Sequence, residues 1–313
     1  MQEQGEVIDL VENIEKAIIG KRQAILRVVA ALLAGGHVLV EDVPGVGKTQ
    51  MVSALSRSVS GEFHRVQMTP DIMPADIVGY SMIHPESKKI IYQKGAVYCN
   101  FFLADEINRA SPKAQSSLLE VMEERQISIE GRTITLPPPF MVLATQNPVE
   151  TYGTYHLPEA QMDRFLMRIV MGYPSKEKEM QILNEIEGDN PLYSLQPVLS
   201  LADVERMQKD VQNVTANQLI KEYIWEIVNA TRHDENIRLG ISPRGALALQ
   251  RAAKAMAYLS MRNYVIPDDV RDIAAAVLAH RLILSPKGKS SFSSQEQAVN
   301  NVLERVGVPV ATA

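Results

Sequence analysis

The segment HVLVEDVPGVGKTQMVSALSRSV, His37 to Val59, constrains the fold more than any other stretch. A short apolar strand runs into a glycine-rich loop, and the loop into a segment of helical period. A buried strand followed at once by a helix is one unit of a parallel sheet, because a crossover is needed to bring the chain back beside it. The loop ends in Gly47, Lys48 and Thr49, the end of the phosphate-loop pattern G-x-x-x-x-G-K-[ST]. A chance Gly-x-Gly-Lys-[Ser/Thr] in a chain this long has a probability on the order of 1%, taking glycine at about 7% of residues. The strand before it and the helix after it make a plain glycine turn a poor alternative.

The first position of the pattern departs from glycine and holds Asp42. That position chiefly needs a turn conformation, and aspartate is among the few other residues that tolerate a positive φ. Asp42 is therefore expected to be an allowed substitute, nearly silent if replaced by glycine. Residues Pro44, Gly45, Val46, Gly47, Lys48, Thr49 and Gln50 are expected to bind nucleotide. Backbone N–H groups wrap the phosphates at a helix N-terminus, Lys48 reaches the outer phosphates, and the Thr49 hydroxyl ligates Mg²⁺.

Four more strands are expected, in EFHRVQM, NFFLADE, PFMVLATQN and LMRIVMGY, with helical patterns between most of them. Residues 6–34 precede them as helices and stop at Gly35-Gly36. After Pro174 no convincing strand follows, and SKEKEMQILNEI, LADVERMQKDV, ANQLIKEYIWEIVNAT, PRGALALQRAAKAMAYLSM and PDDVRDIAAAVLAHRLIL all read as helices. The expected organisation is an α/β domain over residues 1–188 and an all-helical domain over residues 200–313. Glu187 to Ser200, EGDNPLYSLQPVLS, is the linker between them.

Three polar positions stand at the ends of these strands. FFLADE closes on Asp105, placed to hold Mg²⁺ through water opposite Thr49, and on Glu106, placed to polarise an attacking water. Adjacent carboxylates are often only solvated loop charges; behind a buried strand and downstream of a phosphate loop they gain weight. Asn147 ends MVLATQN at the carboxyl edge of the sheet, where α/β proteins bind ligands, and could orient the same water. A turn former before Pro148 is its plainer reading.

The order of phosphate loop, Asp-Glu strand, asparagine strand and helical lid resembles the AAA+ ATPases. EINRASPKAQSSLLEVMEERQISIEGRTITLP, ATQNPVETYGTYHLPEAQMDRFL and ISPRGALALQRAAKAMA resemble the MoxR family within them, over about residues 6–284. The resemblance implies an AAA+ core, a parallel five-stranded sheet with flanking helices, and a C-terminal helical lid. It implies binding and hydrolysis of ATP with Mg²⁺, a homo-oligomeric ring, a hexamer, and remodelling or maturation of protein clients carrying von Willebrand factor A domains.

The resemblance also assigns roles by position. Ile19 and Gly20 would line the adenine pocket. Arg244 would be the lid arginine that touches the γ-phosphate bound by its own subunit. Arg164 would be the finger that reaches the neighbour's ATP, with Arg168 as its substitute. The plain alternative for Arg164 is an ion pair with Asp163 or Glu159. DIVGYSMIHPESKKIIYQKGAVY and QISIEGRTITL resemble the inserted hairpins of this group.

Composition narrows the alternatives. A net charge of -5 and a pI of about 5.8 argue against a nucleic-acid partner, as does an aromatic content of 5%. The one cysteine, Cys99, excludes a disulfide within the chain and reads as a core residue. The six histidines lack metal-ligand spacing. No apolar run reaches the roughly 18 residues of a membrane span, and the polar start MQEQGEVIDL is unlike a signal peptide, so a cytoplasmic location without membrane insertion is expected. The ATPase subunit of a metal chelatase, a nucleic-acid motor of the same fold and a non-hydrolysing scaffold remain as rivals.

Overall fold

The computed structural model describes residues 2–42, 47–147, 153–173, 175–185 and 191–309. Helices α1 (Gln2–Glu15) and α2 (Arg22–Leu33) lead into strand β1 (Val38–Glu41) and helix α3 (Lys48–Ser58). Then come β2 (Phe63–Gln67), α4 (Pro74–Val78), β3 (Gly79–Ile83), β4 (Ile90–Lys94), β5 (Phe101–Asp105) and α5 (Pro112–Glu124). A hairpin of β6 (Gln126–Ile129) and β7 (Arg132–Thr135) precedes β8 (Met141–Gln146), α6 (Glu159–Met162) and β9 (Met167–Ile169).

The five expected strands form one parallel sheet in the order β2-β5-β8-β1-β9. Strands β1, β5 and β8 are buried up to their last residue, which explains their near-continuous apolar sequences. Because all five strands run the same way, their carboxyl ends lie along one edge. Gln67 pairs in register with Asp105, and Glu41 with Gln146. The two expected hairpins, β3–β4 and β6–β7, stand apart as two-stranded antiparallel sheets.

The second region contains α7 (Lys176–Glu185), α8 (Pro191–Ser194), α9 (Leu201–Asn213), α10 (Gln218–Arg232), α11 (Pro243–Leu259), α12 (Pro267–Leu278), α13 (Pro286–Ser291) and α14 (Gln295–Arg305). Serine or asparagine caps start many of them. Ser200, Asn217, Ser242, Ser285 and Ser294 each accept a backbone N–H from the first turn. The expectation of no further strand is corrected by β10 (Ile237–Leu239) and β11 (Ile283–Leu284), which pair antiparallel. Three and two residues are too short to show a period of two.

The lid is not a separate globule. One apolar cluster runs from Val28 and Val29 of α2 and Val38 of β1 to Val204, Met207, Leu249, Ile273 and Val277 of the lid. A second cluster, with Phe102, Leu118, Leu119 and Val142, fills the other face of the sheet. Arg281 rivets the joint. Its side chain is 4% exposed, its Nε donates to Asp163 Oδ1 at 2.6 Å, and its other nitrogens donate to the Phe165 and Leu166 carbonyls. Burial pulls its pKa down to about 10 against the opposing pull of Asp163. Gly245 leaves room for this side chain, since a Cβ there would lie 3.2 Å from Arg281 Cδ and 2.5 Å from Ile241.

Cys99 is buried, and burial pushes its thiol up to about 12, as fits a core residue. His37 is fully enclosed between α5 and β8. Its Nδ1 accepts from the Val142 N–H at 2.9 Å, so its Nε2 carries the proton and donates to the Met122 carbonyl, also at 2.9 Å. Burial, more than the nearby Arg125 and Arg251, pulls its pKa down to about 4. His280, against the Phe165 carbonyl, is lowered for the same first reason.

The unfolded chain therefore takes up protons on these rings below about pH 6.5 while the folded chain does not, and stability falls with pH. His37 alone should remove on the order of 3 kcal/mol between about pH 6.5 and 4. Chemical denaturation at pH 7 and pH 4.5 should show this loss, and His37→Gln should lose less across the same window.

Candidate active site

The carboxyl edge of the sheet holds a cavity of about 420 Å³. Gly47, Lys48, Thr49 and Gln50 form one wall, and Asp105, Glu106 and Asn147 another. The sequence scatters these residues over a hundred positions; the parallel strands bring them together. Pro44, Gly45 and Val46 lie outside the described residues. Gly47 caps α3 at φ 91°, a left-handed conformation that a side chain would resist, so the helix N-terminus points its free N–H groups at the cavity. The Lys48 ammonium donates to the Asp42 carbonyl at 2.9 Å.

Glu106 also has a left-handed backbone, with φ 57° and ψ 54°. For a non-glycine residue this costs about 1–2 kcal/mol and needs a local restraint. Thr145 supplies it. Its hydroxyl accepts the Glu106 N–H at 2.8 Å and donates to Asp105 Oδ1 at 2.6 Å. One buried hydroxyl thus holds both the Asp105 carboxylate and the Glu106 backbone. Glu106 Oε2 accepts from Gln67 Nε2 at 2.7 Å and from Arg109 Nη1 at 3.1 Å. Arg65 reaches Asp105 Oδ2 at 2.6 Å.

Sequence reasoning missed Thr145, Gln67, Arg65 and Arg109. A signal existed for two of them: Arg65 and Gln67 are two apart on a strand that ends beside Asp105, so both side chains leave on one face.

The donor set suits Mg²⁺. Thr49 and Asp105 offer oxygen ligands across the same cavity, and Mg²⁺ keeps most of its waters, so two protein oxygens and the phosphates suffice. Asp105 would then be shared between the ion and Arg65.

Ile19 and Gly20 sit outside this cavity, in the turn between α1 and α2. Gly20, at φ 74°, lies under Lys178 of α7, whose Cγ is 2.9 Å from where a Cβ would stand. The next residue, Lys21, donates to the Met171 carbonyl at 3.0 Å and to the Gly172 carbonyl.

Arg244 departs from expectation. Among the described residues it lines a different cavity, of about 470 Å³, together with Arg164, Arg251 and Lys254. It pairs there with Glu123, and its Nε lies 3.7 Å from Asp163 Oδ2. The Arg244–Glu123 pair ties the start of α11 to the end of α5. Arg164 borders the same cavity. Asp163, its suggested ion-pair partner, is engaged by Arg281 and Arg244, and no ion pair of Arg164 occurs among the described residues.

Arg168, the substitute finger, is 10% exposed and clamped between Glu41, at 3.1 Å, and Glu296 of α14. It ties the sheet to α14.

The reason given for Asp42 is also corrected. It is 6% exposed and is not among the described non-glycine residues of positive φ. Its Oδ2 accepts the N–H groups of Met171 and Gly172 at 2.7 and 2.6 Å.

Comparison with known proteins agrees with this geometry. The profile of the ATPase family associated with various cellular activities (AAA) matches residues 37–167, and that of the AAA lid domain matches residues 229–302. The chain is 49% identical to YeaC of Bacillus subtilis, a protein without an assigned function, over 96% of this chain and 94% of that one. It is 42% identical to the chaperone MoxR1 of Mycobacterium tuberculosis, covering 96% and 82%, and 31% identical to MoxR of Methylorubrum extorquens, covering 88% and 86%. A crystal structure of a candidate ATPase from Cytophaga hutchinsonii superposes with a TM-score of 0.91 at 37% identity, over 99% of this chain and 96% of that one. With a phosphate loop facing an Asp-Glu pair on an α/β core, and a helical lid behind it, the chain belongs to the MoxR family of AAA+ ATPases.

Proposed function

We propose that the chain hydrolyses ATP with Mg²⁺ in a cytoplasmic hexameric ring and uses the cycle to remodel or mature protein clients that carry von Willebrand factor A domains. The observation that carries the catalytic part is the single cavity where Lys48, Thr49, Asp105, Glu106 and Asn147 converge. Lys48 and the α3 N-terminus hold the phosphates. Thr49 and Asp105 would hold the ion, which would supply neutralising charge for the phosphates. Glu106 takes a proton from the attacking water, and Asn147 orients that water. Ile19 and Gly20 contact the adenine. Arg164 and Arg244 share a second cavity, which supports a joint role toward the neighbouring subunit's ATP. Support for the client class comes from kinship with MoxR proteins. Among the described residues no helix is long and apolar enough to cross a membrane.

A tagged Glu106→Gln form in ATP should sediment as a hexamer and retain a von Willebrand factor A protein from lysate, whereas Lys48→Ala should retain none. Equal recovery with both forms would refute nucleotide-gated client binding.

A further inference from the structure

Asp42 stands where the phosphate-loop pattern has glycine, and it does what glycine cannot. Its two halves face different ways. The backbone carbonyl accepts the Lys48 ammonium at 2.9 Å, toward the phosphate site. The carboxylate turns away, and Oδ2 receives two successive N–H groups, from Met171 at 2.7 Å and Gly172 at 2.6 Å. These residues follow β9, the sheet neighbour of β1, and Gly172 has φ 63°. Two successive amides converging on one oxygen form a small anion nest, here filled by the chain's own carboxylate.

The same two residues are held from their other side. Their carbonyls accept from the Nζ of Lys21, a residue 8% exposed that directly follows Gly20. The Met171–Gly172 turn is thus gripped by an anion on its amides and a cation on its carbonyls. Burial lowers the Lys21 pKa, and the Asp42 charge opposes that shift. The result is a continuous polar tie. It runs from the Ile19–Gly20 turn through Lys21, Met171 and Gly172 to Asp42, and from Asp42 to the lysine of the phosphate loop. A glycine at position 42 would leave the buried Met171 N–H and the half-buried Gly172 N–H without that acceptor.

We propose that Asp42 is a positioning residue that fixes the phosphate loop in register with the Ile19–Gly20 turn, so that base and phosphates are gripped as one unit. This rests on the reading that the loop around Lys48 binds ATP and the Ile19–Gly20 turn its adenine. It predicts a coupling: affinity for the whole nucleotide depends on Asp42 far more than affinity for its phosphates alone.

The experiment compares Mg²⁺-ATP with Mg²⁺-tripolyphosphate, by calorimetry, on the full-length protein. In the native chain ATP should bind more tightly than tripolyphosphate. Asp42→Gly, which restores the pattern residue, should weaken ATP about tenfold or more and tripolyphosphate less than about threefold. Asp42→Asn keeps an acceptor oxygen for both amides and should stay within about threefold of native for both ligands. Lys21→Met attacks the tie from its other end and should lower the ratio of the two affinities as Asp42→Gly does, which decides the matter should Asp42→Gly not fold.

Unchanged ATP affinity in Asp42→Gly or, if that form does not fold, in Lys21→Met overturns the proposal. So does a parallel loss of both ligands, which would mark general damage to the loop. If the native chain binds no ATP, or Lys48→Ala binds it equally, the underlying nucleotide reading fails instead.

Discussion

Glu106→Gln is expected to bind ATP as the native chain does and to hydrolyse it about 10²–10⁴-fold more slowly, the usual contribution of a general base. The exchange is close to isosteric, and the side-chain oxygen can still accept from Gln67 and Arg109. The left-handed backbone is held by the Thr145 hydroxyl acting on the residue's N–H, which the substitution leaves alone. What disappears is the ability to take a proton. Asp105→Asn should behave differently, because its carboxylate is the proposed oxygen ligand of the ion: nucleotide binding should become less dependent on Mg²⁺. Single-turnover hydrolysis, read beside binding titrations with and without Mg²⁺, separates the two. Equal loss of turnover in both variants, with no difference in metal dependence, would end this division of roles.

Arg164→Ala should leave ATP affinity nearly intact and reduce hydrolysis by roughly 10³–10⁵-fold, the range for arginine fingers. Arg164 lines a cavity other than the one around Lys48, which motivates the proposed action on another subunit's phosphate. Its acidic neighbour Asp163 is already engaged by Arg281 and Arg244. Mixing tests the direction of action. Lys48→Ala subunits lack a working site but still present Arg164. Arg164→Ala subunits have a site and no finger to offer. Rings containing both should regain activity that neither has alone, wherever an Arg164→Ala site meets an intact donor. If co-assembly is verified and no activity returns, the action in trans is wrong. Arg168 would not be the replacement, since Glu41 and Glu296 hold it.

The sheet was legible because its strands are short apolar runs that end in chemistry-bearing residues. NFFLADE and PFMVLATQN announce both the buried strand and the polar group at its end. The two hairpins were expected from their resemblance to the insertions of this group, and both pair antiparallel. β10 and β11 were not, because five residues in two pieces leave no pattern. The site was legible where a motif names a residue, as for Lys48 or Asp105. It was not legible where a side chain acts across strands. Thr145 is one of many threonines until β8 sets it between Asp105 and Glu106. Asp42 was found, and its turn-forming reason was wrong, because its partners Met171 and Gly172 lie some 130 positions away along the chain. Arg244 was placed by analogy alone, and its partner Glu123 lies 121 positions away along the chain, beyond the reach of any local pattern.

The apolar cluster shared by α2, β1 and the lid helices has a consequence for cooperativity. Two regions that the sequence separates by a polar linker are expected to melt as one folding unit. Neither can melt without exposing the other's interior, so their stabilities are not separate quantities. Loosening the lid against the core would open apolar surface to water at every turn of the cycle. In the proposed ring the easier movement would then be between subunits, each shifting as a rigid body against the next, and the working strain would fall on the contacts between neighbours.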